Sequence, residues 1–285
     1  MSNRARIALR GAAAGVALLF VTWFAAFHVG IVERADRSIL RGFAGLHRPR
    51  IDQITRFVAN LCDPHPYVLL AAVPVVVALI RRRPRVAVAV GLIMLGANTT
   101  TQLLKPLLAT PRSGAFPGPM VGAASWPSGH ATAVMALALC AVIAAPARLR
   151  PLVGAAMAAF SIAVCYSFLE LAWHYPTDVL GGFLVATTWT LLGAAGLSWL
   201  EARRPAPRRA SDASAGAQVS IAEALAPMSL LVLGALLLAA LIALVRPHAV
   251  VTYASAHVAF IAGAAGIAAL GLVIATGATL ALRRG

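Results

Sequence analysis

The stretch SGHATAVMALALCAVIAAP, residues 128–146, decides the class of fold. After Ser128 and His130 it contains almost only apolar residues, and it carries no acidic, lysine or arginine side chain. A helix needs about 20 predominantly apolar residues to cross the hydrocarbon core of a bilayer. The stretch therefore predicts a transmembrane helix whose N-terminal end is polar and lies at the membrane surface.

Seven further apolar stretches predict an all-α, polytopic membrane helix bundle. They cover residues 11–31, 66–80 (extending back toward Phe57), 86–104, 152–173, 177–199, 226–245 and 255–281. Of the 285 residues, 60% are hydrophobic and 12% are charged, whereas soluble domains carry about 25% charged residues. We expect a six-span catalytic domain over residues 1–200 and two additional spans of unknown role within residues 221–285.

The net charge of +15 reflects arginines that are concentrated in alternate connections between spans. This distribution follows the positive-inside rule and suits contact with anionic lipid headgroups. A polyanion partner is the less favoured interpretation, and no nucleic acid is expected. Both termini and a flexible linker at residues 201–220 are then cytoplasmic, and residues 32–65 form an amphipathic segment on the outer leaflet. The arginine-rich, alanine-rich composition favours a bacterial inner (plasma) membrane. The clusters are Arg4, Arg6 and Arg10; Arg81, Arg82, Arg83 and Arg85; Arg148 and Arg150; Arg203, Arg204, Arg208 and Arg209; and Arg283 and Arg284.

Two polar segments at predicted outer span ends are candidate phosphate-binding elements, because charges near the membrane are costly. Lys105, the only lysine, is followed by Arg112; alone, Lys105 could be a snorkelling anchor. Ser128, Gly129 and His130 precede the quoted apolar run, where helix amides can bind phosphate and a histidine can exchange a proton. Alone, these three residues could be an ordinary helix cap.

A third segment supplies a candidate nucleophile. His174 and Asp178 are four residues apart, and a helix that starts near Pro176 would bring them together. A carboxylate bound to one imidazole nitrogen leaves the other free to attack. An interfacial histidine beside a helix-start aspartate is the alternative. Together the three segments supply the groups that phosphoryl transfer through a phosphohistidine needs. The sequence shows no metal-ligand cluster and no sign of a cofactor.

In order and spacing, these segments resemble the three motifs of the type 2 phosphatidic acid phosphatase (PAP2) superfamily over roughly residues 7–200. The resemblance implies that His174 attacks phosphorus, Asp178 holds its ring, and His130 protonates the leaving group and then activates water. It also implies that no metal is required. The residues implied to hold the phosphoryl oxygens are Lys105, Arg112, Ser128 and the amide of Gly129.

The third motif departs from the family, since Ser167 is followed by Phe168 where the family has arginine. Losing one preorganised donor can cost about 10²–10³ in rate, so the site is expected to be weakened and not abolished. Glu170 could pair with Lys105 or Arg112 as a structural ion pair, or repel a dianionic substrate. Lipid phosphotransferases that make sphingomyelin are similar in keeping the two histidines and the aspartate while departing from the cationic motifs.

We therefore predict an outward-facing hydrolase of a membrane lipid phosphate or diphosphate that enters sideways from the outer leaflet. Phosphatidate, phosphatidylglycerophosphate and polyprenyl diphosphate are the candidate substrates. The alternatives are a lipid phosphotransferase with an alcohol or sugar acceptor and a catalytically silent membrane binding or scaffold protein.

Overall fold

The computed structural model describes residues 2–108, 110, 121–203 and 220–283. All regular elements in these ranges are helical, and we number the α-helices in chain order. They are α1 (Asn3–His28), α2 (Gly30–Ala44), α3 (Asp52–Asn60), α4 (Pro64–Ile80), α5 (Pro84–Leu108), α6 (Gly129–Ala144), α7 (Arg150–Glu170), α8 (Pro176–Arg203), α9 (Ile221–Val245), α10 (Pro247–Ala256) and α11 (Val258–Leu282), with a 3-10 turn (Ala147–Leu149) before α7.

Each of the eight predicted spans coincides with a helix, but the described helices differ in their ability to cross a bilayer. Six are long and apolar enough, namely α1, α5, α7 with its preceding turn, α8, α9 and α11. Along α9 large apolar side chains are exposed, including Leu236 at 63% and Leu244 at 79%, which is expected of a surface that faces lipid. The prediction of a multi-pass, all-α membrane protein is confirmed.

The expected extension of span 66–80 toward Phe57 is bent, and α3 and α4 together are long and apolar enough for a seventh, broken span. Phe57 lies in α3, and the axes of α3 and α4 differ by 56°. Asp63 between them has an extended backbone, with φ −67° and ψ 155°. A residue before proline disfavours the helical region, so Pro64 accounts for the break.

Helix α6 forms the centre of the bundle. It has 16 residues, fewer than a full span needs. Nearly all of them from Ala131 onward are buried, against α4, α5, α7 and α8. A helix that is apolar on all sides is typically enclosed by neighbours. Because those neighbours surround it, α6 can be shorter than the lipid-exposed helices.

The bundle has two chemically different ends. At the arginine end, Arg81 Nη1 donates to the Ala144 carbonyl at 2.7 Å and Arg150 donates to the Leu282 carbonyl. Cations near helix C-termini satisfy free carbonyls and interact favourably with the helix dipole. The C-terminus of α5 and the N-termini of α4, α6 and α8 lie at the opposite end, which we call the site end.

Residues 32–65 form more than the single amphipathic stretch that the sequence predicts. Helix α2 buries Leu40 and Phe43, and α3 buries Thr55 and Ala59. Both helices pack against α7, and α2 also packs against α11. Their position relative to the outer leaflet stays a prediction.

The last span, α11, docks closely on the rest of the bundle. Tyr166 of α7 donates its hydroxyl to the Ala264 carbonyl of α11 at 2.6 Å. The rings of Phe43 and Phe260 meet edge to face with centroids 4.9 Å apart. Residues 204–219, most of the predicted linker, lie outside the described residues.

Candidate active site

Direct backbone contact joins the second and third predicted motifs. The Ser128 amide donates to the Asp178 carbonyl at 3.0 Å. The buried Ser128 side chain caps α6, because its Oγ accepts from the Ala131 amide at 3.2 Å. Gly182 permits this contact, since a Cβ there would lie 2.8 Å from the Ser128 carbonyl oxygen. The N-termini of α6 and α8 are therefore fixed against each other.

His174 and Asp178 meet as the sequence predicts. Helix α8 begins at Pro176, and His174 Nδ1 lies 3.4 Å from Asp178 Oδ2. Within the described residues Nδ1 has no partner with full hydrogen-bond geometry, so the contact is electrostatic and slightly long. Catalytic hydrogen bonds often tighten only when substrate binds. Asp178 is fully buried and also accepts from the Tyr175 amide at 2.8 Å, which fixes the carboxylate.

A buried carboxylate on α2, that of Asp36, binds the N-terminus of α8. Asp36 is 2% exposed, and its Oδ1 accepts from the Thr177 amide at 3.1 Å. The Thr177 hydroxyl donates to the other oxygen of Asp36. A carboxylate satisfies the free amides of a helix N-terminus and interacts favourably with its dipole. This role could not be predicted from the sequence, because Asp36 lies 141 residues from its partner.

The second histidine lies opposite the first. The rings of His130 and His174 have centroids 6.0 Å apart. His130 Nε2 is 3.0 Å from Oδ1 of Asp63, a residue that the motif reasoning missed. The two histidines thus face one space, and each has a carboxylate partner.

Phe168 forms an aromatic wall beside both histidines. It is fully buried, and its ring meets His174 edge to face with centroids 5.2 Å apart. Its centroid is 5.8 Å from that of His130, and Trp173 lies 5.7 Å from His130 on the same measure. The neighbouring Ser167 hydroxyl donates to the Ala163 carbonyl of its own helix at 2.8 Å. The site therefore has an apolar surface beside both histidines.

The described partners of Glu170 lie in α3 and in the connection before it, and the suggested partner Arg112 lies outside the described residues. Its Oε2 accepts from the Thr55 hydroxyl at 2.8 Å, and its Oε1 lies 3.2 Å from Nδ1 of His47. Glu170 ends α7, where α7 packs against α3, so its carboxylate contacts that side and not Lys105. His47, for which the sequence offered no partner, also lies 3.8 Å from Asp52.

Lys105 reaches the N-terminus of α6. Its Nζ is 3.7 Å from the position that a Cβ on Gly129 would take, and Gln102 Nε2 is 3.6 Å from the same point. The sequence missed Gln102, although it precedes Lys105 by three residues and such residues share a helix face. Predicted Arg112 lies outside the described residues.

The segment that carries these residues matches a known family. Residues 86–202 match the PAP2 superfamily. This PAP2 segment contains Lys105, His130, His174 and Asp178, so the resemblance inferred from the motifs is confirmed. It leaves Asp63 outside the matched residues.

A solved structure has a similar fold. It is described as the first transmembrane PAP2-type phosphatidylglycerolphosphate phosphatase from Bacillus subtilis. The match covers 70% of this chain and 98% of that one, with 18% sequence identity and a TM-score of 0.54. At that identity the likeness concerns the fold alone. No curated protein matches the chain.

Proposed function

We propose that this protein is an integral membrane phosphatase that hydrolyses lipid phosphates or diphosphates through a phosphohistidine on His174. The observation that carries the proposal is the facing pair of histidines, 6.0 Å apart by ring centroids, inside a PAP2 segment. The buried Asp178 beside His174 supports the assignment of His174 as the nucleophile. Phosphatidate, phosphatidylglycerophosphate and polyprenyl diphosphate are the candidate substrates.

In the first proposed step, His174 Nε2 attacks phosphorus while the bond from phosphorus to the lipid oxygen breaks. Asp178 beside Nδ1 stabilises the positive charge that develops on the ring. His130, protonated, gives its proton to the departing oxygen. The products of this step are a lipid alcohol, or a lipid monophosphate from a diphosphate, and a phosphorus–nitrogen bond.

In the second step, neutral His130 takes a proton from water and the water oxygen attacks phosphorus. The phosphorus–nitrogen bond breaks, inorganic phosphate leaves, and His130 is again protonated. His130 thus alternates between acid and base, and the two steps together consume one water. They use no metal ion or cofactor, so phosphate release should persist in EDTA.

The phosphoryl oxygens would bind at the N-terminus of α6. The Gly129 amide lies in the first turn, where amides have no acceptor within their own helix, and the helix dipole favours negative charge there. The Ser128 hydroxyl remains a donor while its oxygen caps the helix. The nearby Lys105 ammonium supplies positive charge, and Arg112 is proposed as a second cation.

We place the site at the outer face of a bacterial inner membrane, with both termini in the cytoplasm. Support comes from the positive-inside rule, because Arg81 and Arg150 lie at the end of the bundle opposite to the histidines. Substrate would then enter sideways from the outer leaflet.

The second candidate is a lipid phosphotransferase, in which an alcohol or sugar hydroxyl replaces water in the second step. Phe168 favours it specifically, because an apolar wall beside His174 and His130 replaces the cation of the family motif. Such a wall suits an organic acceptor better than it suits a free phosphate.

The test is phosphate release by purified protein in detergent containing EDTA, with each candidate lipid. His174→Ala is the inactive variant, and His248→Ala, an exposed histidine of α10, is the matched control. We expect release from wild type and His248→Ala and none from His174→Ala. Full activity of His174→Ala contradicts the proposal. Transfer to an added alcohol without phosphate release supports the phosphotransferase, and an intact wild type inactive on all substrates and acceptors supports a silent scaffold.

A further inference from the structure

Asp63 occupies an unusual position for a helix-capping residue. It is the N-cap of α4, where aspartate normally accepts hydrogen bonds from the first amides of its own helix. Among the described residues, however, its side chain caps none of these amides. Pro64 and Pro66 lack an N–H group, which leaves fewer donors in that turn. The Asp63 carboxylate is therefore available for another partner.

That partner is His130. Oδ1 of Asp63 lies 3.0 Å from His130 Nε2, although the two residues are 67 positions apart. The Asp63 amide donates to the Asn60 carbonyl at 3.0 Å, and its carbonyl accepts from the Tyr67 amide at 2.9 Å. The backbone at the α3–α4 bend is thus fixed on both sides, which holds the carboxylate at the ring.

We infer that Asp63 is the positioning residue that orients His130 for proton transfer, a role that rests on the proposed function. By accepting the Nε2 proton, Asp63 selects the tautomer of neutral His130 in which Nδ1 is the free base. When Nδ1 takes a proton from water, the carboxylate stabilises the resulting imidazolium. Asp63 itself keeps its negative charge throughout.

A purely structural role does not account for Asp63. Its side chain is 42% exposed, whereas the His130 side chain is 20% exposed. His130 is also held by its own helix and by the rings of Phe168 and Trp173. Replacing the carboxylate should therefore leave the ring in the site but remove control of its proton.

The leaving group of the substrate distinguishes proton transfer from a general structural effect. A lipid alkoxide needs a proton to depart, whereas p-nitrophenolate departs without one. A positioned acid contributes about 10²–10⁴-fold to rate, so we expect Asp63→Asn to lower kcat/KM for a lipid phosphate by about 10²-fold. For p-nitrophenyl phosphate, kcat/KM should change less than threefold. Slow water activation should instead produce a burst of p-nitrophenolate followed by a slow steady state.

Three variants control the experiment. Asp63→Ser keeps a side chain suited to the N-cap and should behave as Asp63→Asn does. Asp52→Asn changes a carboxylate of the neighbouring helix α3 that pairs with Arg56, and it should leave turnover of both substrates unaffected. In a His130→Ala background, Asp63→Asn should cause no additional loss.

The outcomes separate this inference from the proposed function. Suppose that activity depends on His174 but that Asp63→Asn lowers kcat/KM equally for both substrates, or for neither. That result overturns the role of Asp63 alone. An additive loss in the His130→Ala background overturns it too. Full activity of His174→Ala overturns the proposed function, and the role of Asp63 falls with it.

Discussion

Gly182→Ala tests whether close contact between α6 and α8 builds the site. A Cβ at this position would lie 2.8 Å from the Ser128 carbonyl oxygen, from the Thr132 amide nitrogen and from the Ala131 Cβ. Two of these atoms belong to the backbone, so no side-chain rotation relieves the contact. Reaching an ordinary separation of about 3.5 Å requires the two helix ends to move apart by roughly 0.7 Å.

The cost of that movement can be estimated for both stability and turnover. Overpacking of a dense interior costs about 1–3 kcal/mol, and each kcal/mol lowers Tm by about 2–4 °C in a chain of 150–250 residues. Misplacement by about 1 Å can reduce turnover by about 10²-fold. We therefore expect Gly182→Ala to lose several degrees of Tm and about 10-fold or more in phosphate release.

Gly196→Ala is the matched control on the same helix. Within the described part of the chain, a Cβ at Gly196 meets nothing within 4 Å. Alanine is favoured over glycine in a helix interior by about 0.5–1 kcal/mol, so Tm should hold or rise and turnover should not change. The assay is Tm in detergent together with phosphate release from a lipid phosphate. If Gly182→Ala matches Gly196→Ala in both measurements, the contact does not organise the site.

Three further substitutions probe the phosphate site, the aromatic wall and the docking of α11. Gly129→Ala places a methyl group 3.7 Å from Lys105 Nζ without a clash, so Tm should hold. Because the methyl group takes space at the proposed phosphate position, phosphate release should fall about 10-fold; a fall in Tm alone contradicts a phosphate-binding role. Phe168→Arg places a phosphate donor beside His174, so release should rise, by at most about 10²-fold, while Tm falls because a charge is buried; decreased release from folded protein would show that the pocket depends on the ring. Gly42→Ala puts a Cβ 2.2 Å from the Cβ of Phe260 in α11, so Tm should fall because overpacking of a dense interior is destabilising. An unchanged Tm would show that this contact does not stabilise the bundle.

The sequence was sufficient to predict which motifs meet. Consecutive spans run in opposite directions, so the end of α5 and the starts of α6 and α8 lie at one face. The spacing of His174 and Asp178 around Pro176 then fixes their contact. These inferences succeed because they depend on helix direction and short separations along the chain.

The residues that the sequence did not predict lie far along the chain from their partners. Asp63 and Asp36 contact partners 67 and 141 residues away, and an aspartate near a helix end is readily explained as a cap. The bend of 56° between α3 and α4 brings the Asp63 carboxylate to His130, and no periodicity encodes that direction. The contacts of Glu170 with Thr55 and His47 escaped prediction for a similar reason, since the direction of its side chain depends on the packing of α7 against α3.

The most direct test of the central claim is to detect the phosphohistidine itself. His130→Ala protein is incubated with p-nitrophenyl phosphate, which does not need the acid of the first step, and is then quenched in alkali, where phosphohistidine survives. Because the second step lacks its base, phosphate should accumulate on the peptide that contains His174, as detected by mass spectrometry. The same modification should be absent from the His130→Ala/His174→Ala double variant. Phosphate on another residue, or phosphate release by His174→Ala, would contradict the account.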